Sequence, residues 1–161
     1  WVAMRFNTEV NWSPFDFAVF GTMLALACGA VELAMHASGA WSYRLGALAG
    51  IGTGFLLLWV NLAVGFIGDE DNPANLAYAL VLGVAIVGTS AARLRARGMA
   101  ITMTLAALAQ GLVGGIALVR PEWAGLCPTC GDDGALLPAT LVFMAMWLVS
   151  AGLFAMAART R

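Results

Sequence analysis

Five long apolar stretches dominate the sequence and limit what the chain can fold into. Each is close to the ~20 helical residues that cross the ~30 Å hydrocarbon core of a bilayer. Over the whole chain 61% of the residues are hydrophobic and 11% are charged, whereas about 25% are charged in a typical soluble domain. The sequence therefore predicts one all-α domain over residues 1–161, an integral membrane bundle of five transmembrane helices. The predicted spans cover approximately residues 15–35, 45–67, 74–92, 99–119 and 136–158.

The arginines predict how this bundle is oriented. Residues 93–97 read Arg-Leu-Arg-Ala-Arg and lie between the third and fourth predicted spans. Short cytoplasmic loops of membrane proteins are enriched in lysine and arginine, so this loop is predicted to be cytoplasmic. Alternation of the spans then puts six of the eight basic residues on the cytoplasmic side. We therefore expect the N-terminus outside and the C-terminus inside.

Glu32 is the one clear ionisable residue within a predicted span, and His36, the only histidine, follows four residues later. Residues four apart share a helix face, so the two side chains are expected to lie together. Such a pair could form a proton relay, or hold a metal or tetrapyrrole. The alternative is that Glu32 pairs with Arg44 or with the arginines of 93–97 at the membrane boundary.

Small residues recur every four positions in three of the predicted spans. This spacing puts each set on one helix face, where the missing side chains allow another helix to approach closely. Such a face serves a dimer, a moving hinge or, more commonly, packing within one bundle. The residues are Gly21, Ala25 and Gly29 in the first span, Gly46, Gly50 and Gly54 in the second, and Gly111 and Gly115 in the fourth.

Two neutral polar residues, Asn61 and Gln110, also lie inside predicted spans. Hydrogen bonds between membrane helices are worth roughly 1 kcal/mol. We therefore expect these side chains to join neighbouring helices.

The predicted outer loops carry two further candidate sites. Cys127 and Cys130 form a Cys-Pro-Thr-Cys sequence, which suits a local disulfide, a redox-active pair or half of a zinc site. Asp69, Glu70 and Asp71 could bind a divalent cation or a partner. Their alternative role is to precede a helix start at Asn72-Pro73, where negative charge is favourable.

Four segments resemble a family of small bacterial integral membrane proteins that has no assigned activity. The resemblance covers roughly residues 12–119 and implies a compact helical bundle in the bacterial cytoplasmic (inner) membrane. It implies no catalytic residues. The segments are Trp-Ser-Pro-Phe-Asp-Phe at 12–17, Trp-Val-Asn-Leu-Ala-Val-Gly-Phe-Ile-Gly at 59–68, Asp-Glu-Asp-Asn-Pro-Ala-Asn at 69–75 and Arg-Gly-Met-Ala at 97–100.

These features favour a non-catalytic accessory or scaffold subunit of the inner membrane, for instance in a larger energy-transducing complex. Its expected partners are the lipid bilayer and other membrane protein subunits. The formal net charge of −1 gives no electrostatic reason to expect nucleic-acid binding. Two alternatives are a small proton-linked transporter built on Glu32 and a membrane thiol oxidoreductase using Cys127 and Cys130. The sequence specifies no cofactor.

Overall fold

A computed structural model describes residues 12–68, 71–120 and 135–159, and every regular element within them is helical. Five of these helices are long and apolar enough to cross a membrane, as predicted. The third span includes a short 3₁₀ helix, Pro73–Ala77, which leads directly into the α-helix, so that the two together cover the 20 residues Pro73–Ala92. The long helices are α1 (Pro14–Ala37), α2 (Trp41–Ala63), α3 (Tyr78–Ala92), α4 (Ala96–Val119) and α5 (Leu136–Arg159).

Helix α5 lies at the centre of the arrangement. It packs extensively against both α4 and α2, and α4 packs in turn against α3. Helices α2 and α3 make few contacts with each other, and α1 packs mainly against α2. The helices therefore follow the spatial order α1, α2, α5, α4, α3, with a groove left between α2 and α3.

Missing side chains allow the central helices to approach closely. A Cβ atom added at Gly50 of α2 would lie 2.9 Å from Ser150 Oγ of α5. One added at Gly114 of α4 would overlap the side chain of Thr140. The Ser150 hydroxyl also donates a 2.7 Å hydrogen bond to the Gly46 carbonyl oxygen. Packing and a hydrogen bond thus join α5 to its two neighbours.

Helix α1 is fixed to α2 at its two ends. Near its start, Phe20 lies against Trp59 of α2, with ring centroids 4.7 Å apart. Near its end, the Arg44 guanidinium donates hydrogen bonds to the carbonyl oxygens of Ser38 and Met35, at 3.1 and 3.4 Å. Those carbonyls lack partners within the helix because it ends there.

Side-chain hydrogen bonds cap the start of α1. Ser13 accepts a hydrogen bond from the Asp16 backbone nitrogen, and the Asp16 carboxylate accepts one from the Ser13 backbone nitrogen. This reciprocal arrangement is the capping box. Asn72 likewise caps the 3₁₀ helix, because its Oδ1 accepts from the Ala74 nitrogen at 2.9 Å.

The second helix occupies a different stretch from the predicted span. It begins at Trp41 and ends at Ala63, rather than covering residues 45–67. Gly65 then takes a left-handed φ of 79°, which turns the chain. The backbone nitrogens of Phe66 and Ile67 donate to Asn75 Oδ1, both at 2.8 Å. Phe66 and Ile67, although apolar, therefore lie beyond the end of α2 and fold back over the end of the bundle.

The arginine-rich segment forms the tight α3–α4 turn. Arg93 and Leu94 adopt left-handed φ values of 48° and 57°, although neither is glycine. The Leu94 carbonyl oxygen accepts a 2.7 Å hydrogen bond from the hydroxyl of Tyr43, which is buried in α2. This contact anchors the turn to the rest of the bundle.

Candidate functional site

One face of α1 carries the ionisable pair together with small residues, and all of it is exposed. Successive members lie three or four residues apart, so they share a helix face. The buried residues of α1, Met23 and Ala34, lie on the opposite face against the bundle. We call the exposed set the α1 stripe; it consists of Gly21, Ala25, Gly29, Glu32 and His36.

Glu32 and His36 contact each other within the α1 stripe, as their spacing predicts. The His36 Nε2 atom lies 2.9 Å from Glu32 Oε1, and the two side chains are 76% and 74% exposed. A neutral histidine can donate to a carboxylate through this nitrogen, and a protonated one adds charge attraction. An exposed pair of this kind contributes at most about 0.5 kcal/mol to the stability of a helix.

The alternative expectation, an ion pair of Glu32 with Arg44 or with the arginines of 93–97, is wrong, because the ion pair that Glu32 forms in the described structure is with His36. The Arg44 guanidinium instead bonds the carbonyl oxygens at the end of α1. Arg44 and Glu32 therefore have different partners. Arg44 joins two helices, whereas Glu32 points away from the bundle with His36 as its partner.

Small residues on α1 have surroundings unlike those on α2. A Cβ atom added at Gly21 or Gly29 would meet nothing within 4 Å in the described part of the chain. One added at Gly46 or Gly50 would meet α5 at 3.2 Å or less. The expected packing within one bundle holds for α2 but fails for α1. Cys28 is exposed on the same side of α1.

Within the bundle, several polar side-chain atoms are buried without hydrogen-bond partners in the described structure. Gln110 is fully buried and neither atom of its amide is paired, so the expected interhelical hydrogen bond is not formed. The hydroxyls of Tyr78 and Thr140 interact but do not reach hydrogen-bond geometry. The Trp147 indole nitrogen is also unpaired. The sequence did not predict buried polar atoms at Tyr78, Thr140 and Trp147. Tyrosine, threonine and tryptophan are common in membrane helices, so nothing in the sequence distinguishes these three residues.

The buried polar residues Thr53 and Gln110 do not form a continuous polar pathway with Glu32. Thr53 and Gln110 are buried in the bundle, whereas Glu32 is exposed on α1. The Thr53 hydroxyl donates a hydrogen bond to the Ala49 carbonyl oxygen of its own helix. Among the residues that the structure describes, no three His, Cys, Asp or Glu side chains come together as a metal site would require.

Two of the predicted sites lie wholly or partly outside the described residues. Cys127 and Cys130 fall in the segment between α4 and α5, and Asp69 and Glu70 fall between α2 and the 3₁₀ helix. Asp71 is described and exposed. The disulfide, redox, metal and cation interpretations of these residues therefore stay predictions.

No protein-family model, no curated protein and no solved structure matches the chain. The resemblance to a bacterial membrane protein family accordingly stays a prediction, and the functional argument depends on the geometry alone.

Proposed function

We propose that the protein is a non-catalytic accessory or scaffold subunit of a larger assembly in the bacterial cytoplasmic membrane. In this proposal the five helices span the bilayer, the α3–α4 turn is cytoplasmic and the α2–α3 connection is outside. The α1 stripe is the surface that docks against a transmembrane helix of another protein. The exposed position of Glu32 and His36 on an apolar helix is the observation that carries the proposal.

Ionisable side chains in membrane helices almost always face a protein interior or a water-filled cavity, since exposure to lipid is costly. Glu32 lies more than one helical turn inside the end of α1 at Ala37, and it points away from the chain's own bundle. A partner helix over this face would shield the pair. Its own donors could also bond the Glu32 oxygens.

The small residues of the stripe support the same arrangement. Gly21, Ala25 and Gly29 leave a shallow surface against which a partner backbone can approach closely. Van der Waals contact of this kind drives helix association where lipid provides no hydrophobic force between helices.

Charge favours a different protein over a second copy as the partner. Two parallel copies of α1 packed through the stripe about a twofold axis would bring both Glu32 carboxylates together. Like charges at an interface are unfavourable. A partner helix with a basic or hydrogen-bond-donating residue at this depth has no such cost.

Native gel electrophoresis of membranes extracted in mild detergent tests the proposal. Gly29→Leu should release the protein from its assembly, because the new side chain projects into the docking surface. Gly152→Leu is the matched control, since Gly152 of α5 is also exposed with nothing within 4 Å of an added Cβ atom. The control should keep the wild-type size.

Mass spectrometry of the wild-type band should find a second membrane protein that is absent from the Gly29→Leu band and present with Gly152→Leu. A wild-type protein that migrates alone, or only with copies of itself, would contradict the proposal. So would an equal effect of the two substitutions.

A further inference from the structure

A cavity of about 520 Å³ lies between α4 and α5, at the end of the bundle that holds the α3–α4 turn. Arg97 in the first turn of α4 and Arg159 in the last turn of α5 both line this cavity. Helix α4 begins and α5 ends here, so the packed pair is antiparallel. Each helix thus brings one arginine to the same cavity, and both side chains are exposed and accessible to a ligand.

Neither of these two arginines is neutralised within the described structure. Neither guanidinium forms an ion pair or a hydrogen bond with another described residue. None of the described residues that line the cavity is acidic. Two positive charges at one cavity repel each other, whereas an anion bound between them would be attracted by both. The cavity therefore favours a negatively charged ligand.

The helix ends beside the cavity do not alter this preference. The start of α4 contributes about half a positive charge and the end of α5 about half a negative one, so the two nearly offset. The two guanidiniums contribute two full positive charges. Each guanidinium also presents N–H donors in a planar fork that matches the oxygens of a phosphate group. A phosphate ester is therefore the anion that fits Arg97 and Arg159 best.

The remaining walls of the cavity indicate that this phosphate belongs to a lipid. A free phosphate ion would gain nothing from apolar walls. Beyond the cavity, Ile101 begins an exposed apolar ridge that continues along α4 through Leu105, Leu108 and Leu112. From Ile101 to Leu112 the helix rises about 16 Å, close to the ~15 Å of half a hydrocarbon core. The small or apolar lining residues are Ala100, Ile101, Ala155 and Ala158.

We propose that this cavity binds one phospholipid with a net negative head group, a phosphatidylglycerol. Arg97 and Arg159 donate hydrogen bonds to its phosphate oxygens, and an acyl chain lies against Ile101 and Leu105. The rule that cytoplasmic loops are basic accounts for arginines at this end of the bundle, but not for two of them lining one cavity.

The lipid site rests on the proposed membrane insertion and orientation. In that orientation the cavity lies at the cytoplasmic leaflet, where basic pockets between transmembrane helices bind anionic head groups. The α1 stripe takes no part in this site, because the cavity is lined by α4 and α5 alone. The lipid site and the docking of a partner helix can therefore fail separately.

Native mass spectrometry of the full chain tests this site. The purified protein is incubated with equal amounts of phosphatidylglycerol and phosphatidylethanolamine that carry the same acyl chains. We expect one bound phosphatidylglycerol, preferred about tenfold, because the ammonium of phosphatidylethanolamine is repelled by the arginines. Equal binding of the two lipids would overturn the role of charge, and no binding would overturn the site.

A soluble competitor distinguishes a lipid from a free phosphate ester. Glycerol 3-phosphate, added at the same concentration as the lipid, should not displace phosphatidylglycerol, because it lacks the acyl chains that lie along α4. Displacement at equal concentration would overturn the lipid as the occupant.

Three arginine variants locate the head group. Arg97→Gln and Arg159→Gln should each lower phosphatidylglycerol binding about tenfold, because each removes a charged hydrogen-bond donor. Arg95→Gln is the matched control, since Arg95 is exposed at the same end of the bundle but does not line the cavity. Equal binding by all three variants, each folded by circular dichroism, would overturn the location.

A fourth variant tests the cavity without changing its charge. Ala155→Leu keeps both arginines but fills part of the space between them, so it should also lower phosphatidylglycerol binding. Unchanged binding would overturn the cavity as the site. Gly29→Leu, which should release the protein from its assembly, should bind phosphatidylglycerol as the wild type does. A protein that stays in its assembly but binds no phosphatidylglycerol would contradict the lipid site alone.

Discussion

The small-residue repeats of α1 and α2 have the same spacing but opposite surroundings. Cβ atoms added at Gly46 and Gly50 of α2 would lie 3.2 Å and 2.9 Å from side chains of α5, whereas those added at Gly21 and Gly29 of α1 would meet nothing within 4 Å in the described structure. The repeat of α2 thus packs against another helix of the same chain. We interpret the repeat of α1 as a surface that packs against a helix of another protein. A small-residue repeat indicates that a helix can be approached, but not what approaches it.

Substitution at Gly114 should give the largest effect. Gly114→Ala puts a methyl group into the Thr140 side chain and should lower the free energy of unfolding by about 2 to 3 kcal/mol, since overpacking forces backbone shifts. Thermal unfolding in detergent measures this. Gly115→Ala is the matched control, because an added Cβ atom there meets nothing within 4 Å.

The double variant Gly114→Ala with Thr140→Ala should recover most of that loss, because the colliding hydroxyl and methyl groups are removed. The interaction energy of the double-mutant cycle isolates the contact. A Gly114→Ala protein as stable as the Gly115→Ala protein would break the contrast between packed and open glycines.

Gln110→Met should have an intermediate effect of the opposite sign. Both atoms of the Gln110 amide are buried and unpaired in the described structure, and an unsatisfied buried group costs about 1 to 3 kcal/mol. A methionine of similar volume should therefore raise the stability by about 1 kcal/mol in the same assay. A fall in stability would show that the amide is paired in the folded protein.

Glu32→Gln should have the smallest effect on the isolated protein. Its partner is an exposed histidine, so the pair contributes at most about 0.5 kcal/mol. The unfolding transition in detergent should stay within that range, while the native assembly in membranes weakens. If the isolated protein were strongly destabilised, the carboxylate would have a structural role within its own bundle.

Sequence reasoning predicts the helices well because the constraint on them is simple. A membrane span needs a fixed length of apolar residues, and all five such helices are present. It places the end of α2 poorly, because Phe66 and Ile67 are apolar enough to continue the helix. Their departure depends on Gly65 and on Asn75, a residue that comes later in the chain.

The direction of each helix face is harder to predict for a different reason. In a soluble protein the polar face of a helix shows which side is exposed. Helix α1 is apolar nearly all round, so its sequence does not distinguish the face toward α2 from the face away from it. The same limit hides the buried Tyr43, whose hydroxyl reaches Leu94; an aromatic residue near a helix end is equally typical of a membrane interface.

The central position of α5 has a consequence for how the protein is made. Ribosomes deliver the helices in chain order, so α2 and α4 are synthesised before the helix that packs between them. Until then, Gly50 and Gly114 lack their contacts with Ser150 and Thr140. The final arrangement therefore forms only after α5 is synthesised, and earlier intermediates expose small-residue surfaces like the one that α1 exposes in the described structure.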